Sequence, residues 1–149
     1  MAFETLNGIV LRYANYRDND RILTVLTQER GAVAVTVRNC RKKSSVTADA
    51  VSEQCCYGEF VVYERGGILY ASSTAIKESF YPIREDYERL VSANQILRFA
   101  EIIAYNHGGA ELFPLCYHAL SFLAYGDNNP IDIELCSTCL LYTSDAADD

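Results

Sequence analysis

Four cations, Arg38, Arg41, Lys42 and Lys43, fall within six residues of an otherwise acidic chain. The run Arg38-Asn39-Cys40-Arg41-Lys42-Lys43-Ser44-Ser45 follows directly on the alternating segment Ala32-Val33-Ala34-Val35-Thr36-Val37. Positive groups gathered on a loop at a strand's end neutralise phosphates and release counterions, which gives sequence-independent, salt-sensitive affinity for a polyanion. The same cluster is equally at home as a solvated turn, the usual state of a charge run. Upstream, Arg12, Tyr13, Tyr16 and Arg21 can flank a cationic groove, the tyrosines offering rings on which bases stack.

Other residues capable of chemistry are fewer. Cys136-Ser137-Thr138-Cys139 has the spacing of half a zinc site, but no second pair follows, and an accidental pair explains it as well. Cys55 and Cys56, adjacent in a strand, would point to opposite faces and read as small apolar packing residues. His107 and His118 have no Ser, Cys or carboxylate at a triad or metal-clamp spacing, which leaves capping and packing roles. Glu85, Asp86 and Glu88 crowd the first turn of a helix, where they complement its dipole. No P-loop, no G-x-G-x-x-G and no G-x-S-x-G is present. No catalytic or metal residue is assigned, no cofactor is implied, and the chain reads as a binding protein rather than an enzyme.

At 149 residues the chain suits one ordinary domain or two small ones. Half of it is apolar and 22% is charged, a globular composition. The net charge of −7 is unevenly spread: residues 1–48 hold eight Lys/Arg against four Asp/Glu, and residues 49–149 five against sixteen. Such asymmetry suggests one polyanion-facing part and one with another task. Met1-Ala2-Phe3-Glu4-Thr5 lacks the basic and apolar regions of a signal peptide, and no apolar stretch approaches membrane-spanning length. The six cysteines, at 40, 55, 56, 116, 136 and 139, are therefore expected to be reduced thiols in a cytoplasmic protein away from membranes.

The elements that must position the basic residues change period along the chain. Gly8–Tyr13, Arg21–Thr27, Ala32–Arg38, Gly58–Tyr63 and Ile68–Ser73 alternate or form short apolar runs, and read as strands. Tyr16–Asp20 and Gln28–Gly31 read as turns, and Gly66-Gly67 as a two-residue hairpin turn that tolerates positive φ twice. Five strands in some 75 residues, with one long connection between the third and fourth, fit a small closed barrel. Past Pro82 the spacing of Leu90, Ala93, Leu97, Ala100 and Ala104 predicts a helix over Asp86–Asn106, which Gly108-Gly109 can end. A second helix, Glu111–Tyr125, is apolar on most of its circumference. It packs in a bundle core or lines a groove for a partner's peptide. The fold class is α+β: a barrel domain over 1–80 and a helical domain over 81–138, divided near residue 80.

The string from Cys139 to Asp149 abandons the helical pattern and ends Ser144-Asp145-Ala146-Ala147-Asp148-Asp149. It looks like a conceptual translation of a transposase-type sequencing adapter read through in frame, and residues 139–149 are taken as non-native. On that reading the natural sequence is cut near Thr138, and residues 1–138 carry 13 cations against 17 acids.

Gly8-Ile9-Val10-Leu11-Arg12, Tyr16 with Asp18 and Asp20, Arg21-Ile22-Leu23, Leu26-Thr27, Gly31 and the basic segment ending in Ser44-Ser45 stand in one register. Glu78-Ser79-Phe80, Arg84-Glu85-Asp86 and Leu112-Phe113 follow. Over residues 6–125 this order resembles the recombination mediator and DNA repair family RecO. The resemblance implies a five-stranded OB-fold barrel followed by a helical domain, here incomplete. It implies binding of single- and double-stranded DNA, strand annealing, and help in loading RecA. It also implies partnership with RecR and with the acidic C-terminal tail of single-strand-binding protein. Asn39 stands where the family usually has glycine, and Cys136 and Cys139 come too early for its late four-cysteine zinc module. The DNA-contacting set expected is Arg38, Arg41, Lys42 and Lys43, extended by Arg12 and Arg21, with Tyr13 or Tyr16 stacking bases. The rival is a protein-interaction adaptor whose barrel binds a protein and whose basic loop grips an acidic peptide.

Overall fold

The period of two becomes five strands: β1 (Phe3–Tyr16), β2 (Asp20–Thr27), β3 (Gly31–Val37), β4 (Tyr57–Arg65) and β5 (Ile68–Glu78). The computed structural model describes residues 2–38, 55–107 and 111–126. The strands close into a barrel in the order β1-β2-β3-β5-β4, and β4 pairs back onto β1. Every pairing is antiparallel except that of β3 with β5, where Val35 and Thr36 run parallel to Leu69 and Tyr70. This is the OB-fold expected from the sequence. Gly66 and Gly67 turn between β4 and β5 with φ of +61° and +79°, the two positive values a tight hairpin needs.

Two strands, β1 and β5, run furthest past the ends their alternation suggested. β1 begins at Phe3 because β4 recruits its first residues, Phe3 pairing with Tyr63 and Leu6 with Phe60. β5 continues to Glu78 because Ala75 and Ile76 pair with Glu59 and Gly58. Leu6, Val10, Leu23, Val25, Val35, Val37, Phe60 and Val62 point inward and fill the barrel.

Among the described residues three helices follow rather than two: α1 (Tyr81–Glu85), α2 (Tyr87–His107) and α3 (Leu112–Tyr125). Pro82 sits in the first turn of α1, where its fixed φ fits and its missing N–H costs nothing. Asp86 is extended and separates α1 from α2. Its Oδ1 accepts the Glu88 N–H at 3.0 Å, so one of the clustered carboxylates caps α2. A second core lies between barrel and helices. Ile9, Leu11 and Leu26 supply the barrel side, Phe80 and Ile83 the junction, and Ile96, Leu97, Phe113, Cys116, Leu120 and Leu123 the helical side. The apolar circumference of α3 is used here: Leu112, Phe113, Cys116, Ala119, Leu120, Leu123 and Ala124 are buried.

β1 carries a register shift between Val10 and Arg12. Val10 pairs with Val25 and Arg12 with Thr24, so Leu11 is the extra residue of a β-bulge. Leu11 is buried under the helices, while Arg12 turns outward beside it. At Gly8 the barrel is tighter still. A Cβ there would stand 2.5 Å from Val25 Cγ1 and 2.9 Å from the Leu26 carbonyl oxygen. Gly8→Ala is expected to destabilise the fold by about 1–3 kcal/mol, since backbone must yield to admit the methyl; a urea midpoint equal to that of the parent chain would contradict this.

Candidate nucleic-acid interface

Strand register sorts the upstream candidates onto two faces. Arg12 pairs with Thr24, Ala14 with Ile22 and Tyr16 with Asp20, which sets Arg12 and Tyr16 on the outer face. Tyr13 pairs with Leu23 and Asn15 with Arg21, on the face that continues the barrel's interior. Tyr13 and Arg21 are therefore companions of each other rather than of Tyr16. The Arg21 guanidinium lies 4.3 Å from the centre of the Tyr13 ring, and its Nε donates to Asn15 Oδ1 at 3.2 Å.

A groove of about 600 Å³ runs over the outer face of β2 and β3. Ile22, Ala34 and Thr36 line it from the sheet, Tyr16 and Arg17 from the β1–β2 turn, and Ile68, Leu69 and Tyr70 from the start of β5. Arg17, Arg30 and Arg38 bring positive charge to it, against Asp20 and Glu64. Arg38 is exposed, with its guanidinium 4.4 Å from the Tyr70 ring centre, and Arg17 lies 5.2 Å from that of Tyr16. For Arg38, a guanidinium stacked on a ring face still presents N–H edges that suit phosphate, and the stacking stabilises that pose by about 0.5–1 kcal/mol at an exposed site. Tyr16 and Asp20 also raise the Arg17 pKa further, the hydrogen bond to Tyr16 contributing most. Tyr70 in turn stacks on Tyr63 at 5.6 Å, and Phe3 meets Tyr63 edge-on at 5.9 Å. These rings form one row across β5, β4 and β1.

Arg30 is placed by the β2–β3 turn. The Thr27 hydroxyl donates to the Gly31 carbonyl at 2.7 Å and accepts the Arg30 N–H at 2.9 Å. The Glu29 carboxylate accepts the Asn7 N–H at 2.9 and 3.0 Å, and the Gln28 N–H donates to the Asn7 carbonyl at 2.8 Å. The turn is thus tied to β1. Arg12 stands elsewhere: it faces a second groove, of about 790 Å³, between the sheet and α2, where its Nε meets Glu101 Oε1 at 2.8 Å.

Of the expected contacts, the structure brings Arg38 and Tyr16 to the first groove, puts Arg12 in the second, and lines neither with Tyr13 or Arg21. Arg41, Lys42 and Lys43 lie outside the described residues, as do Cys136, Cys139 and the adapter-like tail. Arg17, Arg30, Arg98, Tyr70 and Tyr105 line the grooves without having been singled out from the sequence. Among the described residues no group of three His, Cys, Asp or Glu is placed to hold a metal, and no helix is long and apolar enough to cross a membrane. His118 is exposed on α3 with its ring beside Tyr117; the His107 side chain lies outside the described part.

The family pattern described as "Recombination protein O N terminal" matches residues 1–80. The chain belongs to the RecO family. A DNA repair protein RecO of Acetivibrio thermocellus is 29% identical over 134 residues, covering 89% of this chain and 53% of the relative. One of Desulforamulus reducens is 32% identical over 132 residues, 88% of this chain and 51% of the relative, and one of Bacillus pumilus is 37% identical over 79 residues, 53% of this chain and 30% of the relative. This RecO-family chain spans about half the length of the first two relatives.

The cysteines it describes are packing groups. Cys55, Cys56 and Cys116 are buried thiols outside any disulfide; Cys55 holds a φ of +74° in the turn before β4, where the opposite-face strand geometry expected for the pair does not apply. Arg84 Nη2 donates to Cys56 Sγ at 2.8 Å. Burial pushes the Cys55 and Cys116 thiols up from 9.0 to about 12. Because the folded values are raised, their protonated forms stabilise the fold fully below about pH 9, and that stability is lost as pH rises towards about 12. Alkylation of the folded chain at pH 8 should spare Cys55 and Cys116 and label them once urea is added; rapid labelling without urea would contradict their burial.

Proposed function

We propose that this chain is the DNA-binding part of a DNA repair and recombination mediator. It holds single- and double-stranded DNA on the β2–β3 face, anneals strands, and helps load RecA together with RecR. The observation that carries this reading is the first groove. On an OB-fold the β2–β3 face, with the β1–β2 and β4–β5 connections, is the surface that takes oligonucleotides. Here that surface holds Arg17, Arg30 and Arg38, with Tyr16 and Tyr70 stacked against two of them. Guanidinium groups bind phosphate and rings accept any base, so this combination favours binding that is indifferent to sequence. Arg41, Lys42 and Lys43 follow Arg38 within five residues and extend the same positive surface. Annealing follows from screening phosphate repulsion between two strands on one protein. No bond is made or broken, so the activity is not enzymatic. The barrel of residues 1–80 is the DNA-binding unit. The remaining helical residues belong to the partner-facing side, where RecR and the acidic tail of single-strand-binding protein dock.

The reading is tested by anisotropy titrations of labelled oligothymidine at several salt concentrations. Arg38→Ala should lower affinity and flatten log K against log salt by about 0.7, one phosphate contact on a single strand. Tyr70→Ala should lower affinity by about 1–3 kcal/mol with the salt slope unchanged, the mark of a lost stacking contact. Changing Arg41, Lys42 and Lys43 together to Ala should flatten the slope further, by about 2. If none of these moves the curve, while an acidic peptide binds the parent chain more tightly than the oligonucleotide, the adaptor reading is the correct one.

A further inference from the structure

The second groove has the ingredients of a strand-binding surface that the first groove does not use. Its α2 wall is Arg98, Glu101, Ile102 and Tyr105, at spacings of three, four and seven that fall on one helix face. Tyr105 is 89% exposed and Ile102 50%, so an aromatic ring and its apolar neighbour stand in water beside a guanidinium. Across the groove the bulge in β1 presents Arg12, and the β2–β3 turn presents Arg30. Three arginines thus face a single carboxylate. Arg98 makes no ion pair with another described residue, and the Arg12–Glu101 pair has side chains 65% and 30% exposed. A pair so open to solvent on its Arg12 side is held weakly and exchanges readily for another anion.

The two grooves also meet. Arg30, Val33 and Ala34 line both. Along the outer face of β3, Ala32 lies in the second groove, Ala34 in both and Thr36 in the first, so small side chains join the two without a ridge. We propose that the second groove holds a second nucleic-acid strand, alongside the one in the first groove, and that the Arg12–Glu101 pair is a latch which the incoming phosphate opens. Arg12 and Arg98 bind its backbone, Tyr105 stacks a base, and Arg30 stands between the strands and screens both. Complementary strands are thereby brought side by side over Val33 and Ala34. This inference rests on the DNA-binding reading of the first groove and supplies the place that annealing needs for its second strand.

The test uses the full chain, a labelled oligothymidine, and two complementary labelled 30-mers whose annealing is followed by energy transfer. Arg98→Glu combined with Tyr105→Ala should leave affinity for one strand within about twofold but slow annealing about tenfold or more, since a like charge now faces the second backbone. Glu101→Gln, which frees Arg12, should speed annealing above that of the parent chain. Parent-rate annealing by Arg98→Glu/Tyr105→Ala, or slower annealing by Glu101→Gln, overturns the second-strand site. If Arg38→Ala still weakens single-strand binding in that case, the reading of the first groove stands. Binding of an acidic peptide that is lost in Arg98→Glu/Tyr105→Ala, with annealing unchanged, identifies the groove as a peptide site and also overturns the proposal. Failure of the parent chain to bind oligothymidine removes both.

Discussion

β1 has to pair with two strands at once, and most of the structure depends on how it does so. Its first half is hydrogen-bonded to β4 while its second half follows β2 to the tip, and at Gly8 it is pressed between them. Gly8 pairs with Gly58 on one side and Thr27 on the other, with Val25 and the Leu26 backbone closing over the position where a side chain would stand. A barrel of five strands has a small circumference, and such close approach is what its closure requires. Two residues later the strand bulges. The Val10 carbonyl accepts the Cys55 N–H, and the Val10 N–H donates to the Cys56 carbonyl, each at 3.0 Å, so the chain entering β4 is anchored at the bulge. Leu11 and Arg12 then share the outer face. One seals the barrel against the helices and the other faces the second groove.

Charge acts locally in this chain. The acidic excess of residues 49–149 does not cancel the arginines of the grooves, because screening at physiological ionic strength confines each exposed charge to about 8 Å. Within that range Arg38 and Arg17 meet aromatic rings, Arg17 also feels Asp20, Arg12 meets Glu101, and Arg30 reaches Glu4 only at 3.5 Å. All of these partners are weaker for an exposed guanidinium than a phosphate is. The arginines are therefore held in order by weak, exposed contacts.

Much of the fold was legible because its signals are local. The alternation of β2 and β3, the Gly66-Gly67 turn and the helical spacing from Leu90 to Ala104 each require only neighbouring residues. The first residues of β1 and the last of β5 were not legible. Phe3 and Ile76 become strand by pairing with Tyr63 and Gly58, far along the chain. α1 was missed because Pro82 reads equally as a break before a helix and as the opening of one. Among the candidate contacts, Arg38 and Tyr16 stood out by type and setting. Arg30 and Tyr70, some forty residues apart, share a groove only because β3 pairs in parallel with β5.

By itself the sequence determined the centres of the five strands and the two long helices, and that the first third of the chain carries the positive charge. These follow from short-range periodicity and residue chemistry. The tertiary structure decided which side chains are neighbours. A bulge of one residue reverses every face that follows it, and no local pattern announces it: Leu11 and Arg12, adjacent in the chain, end on the same side of the sheet, while Arg12 and Arg98 come to one groove.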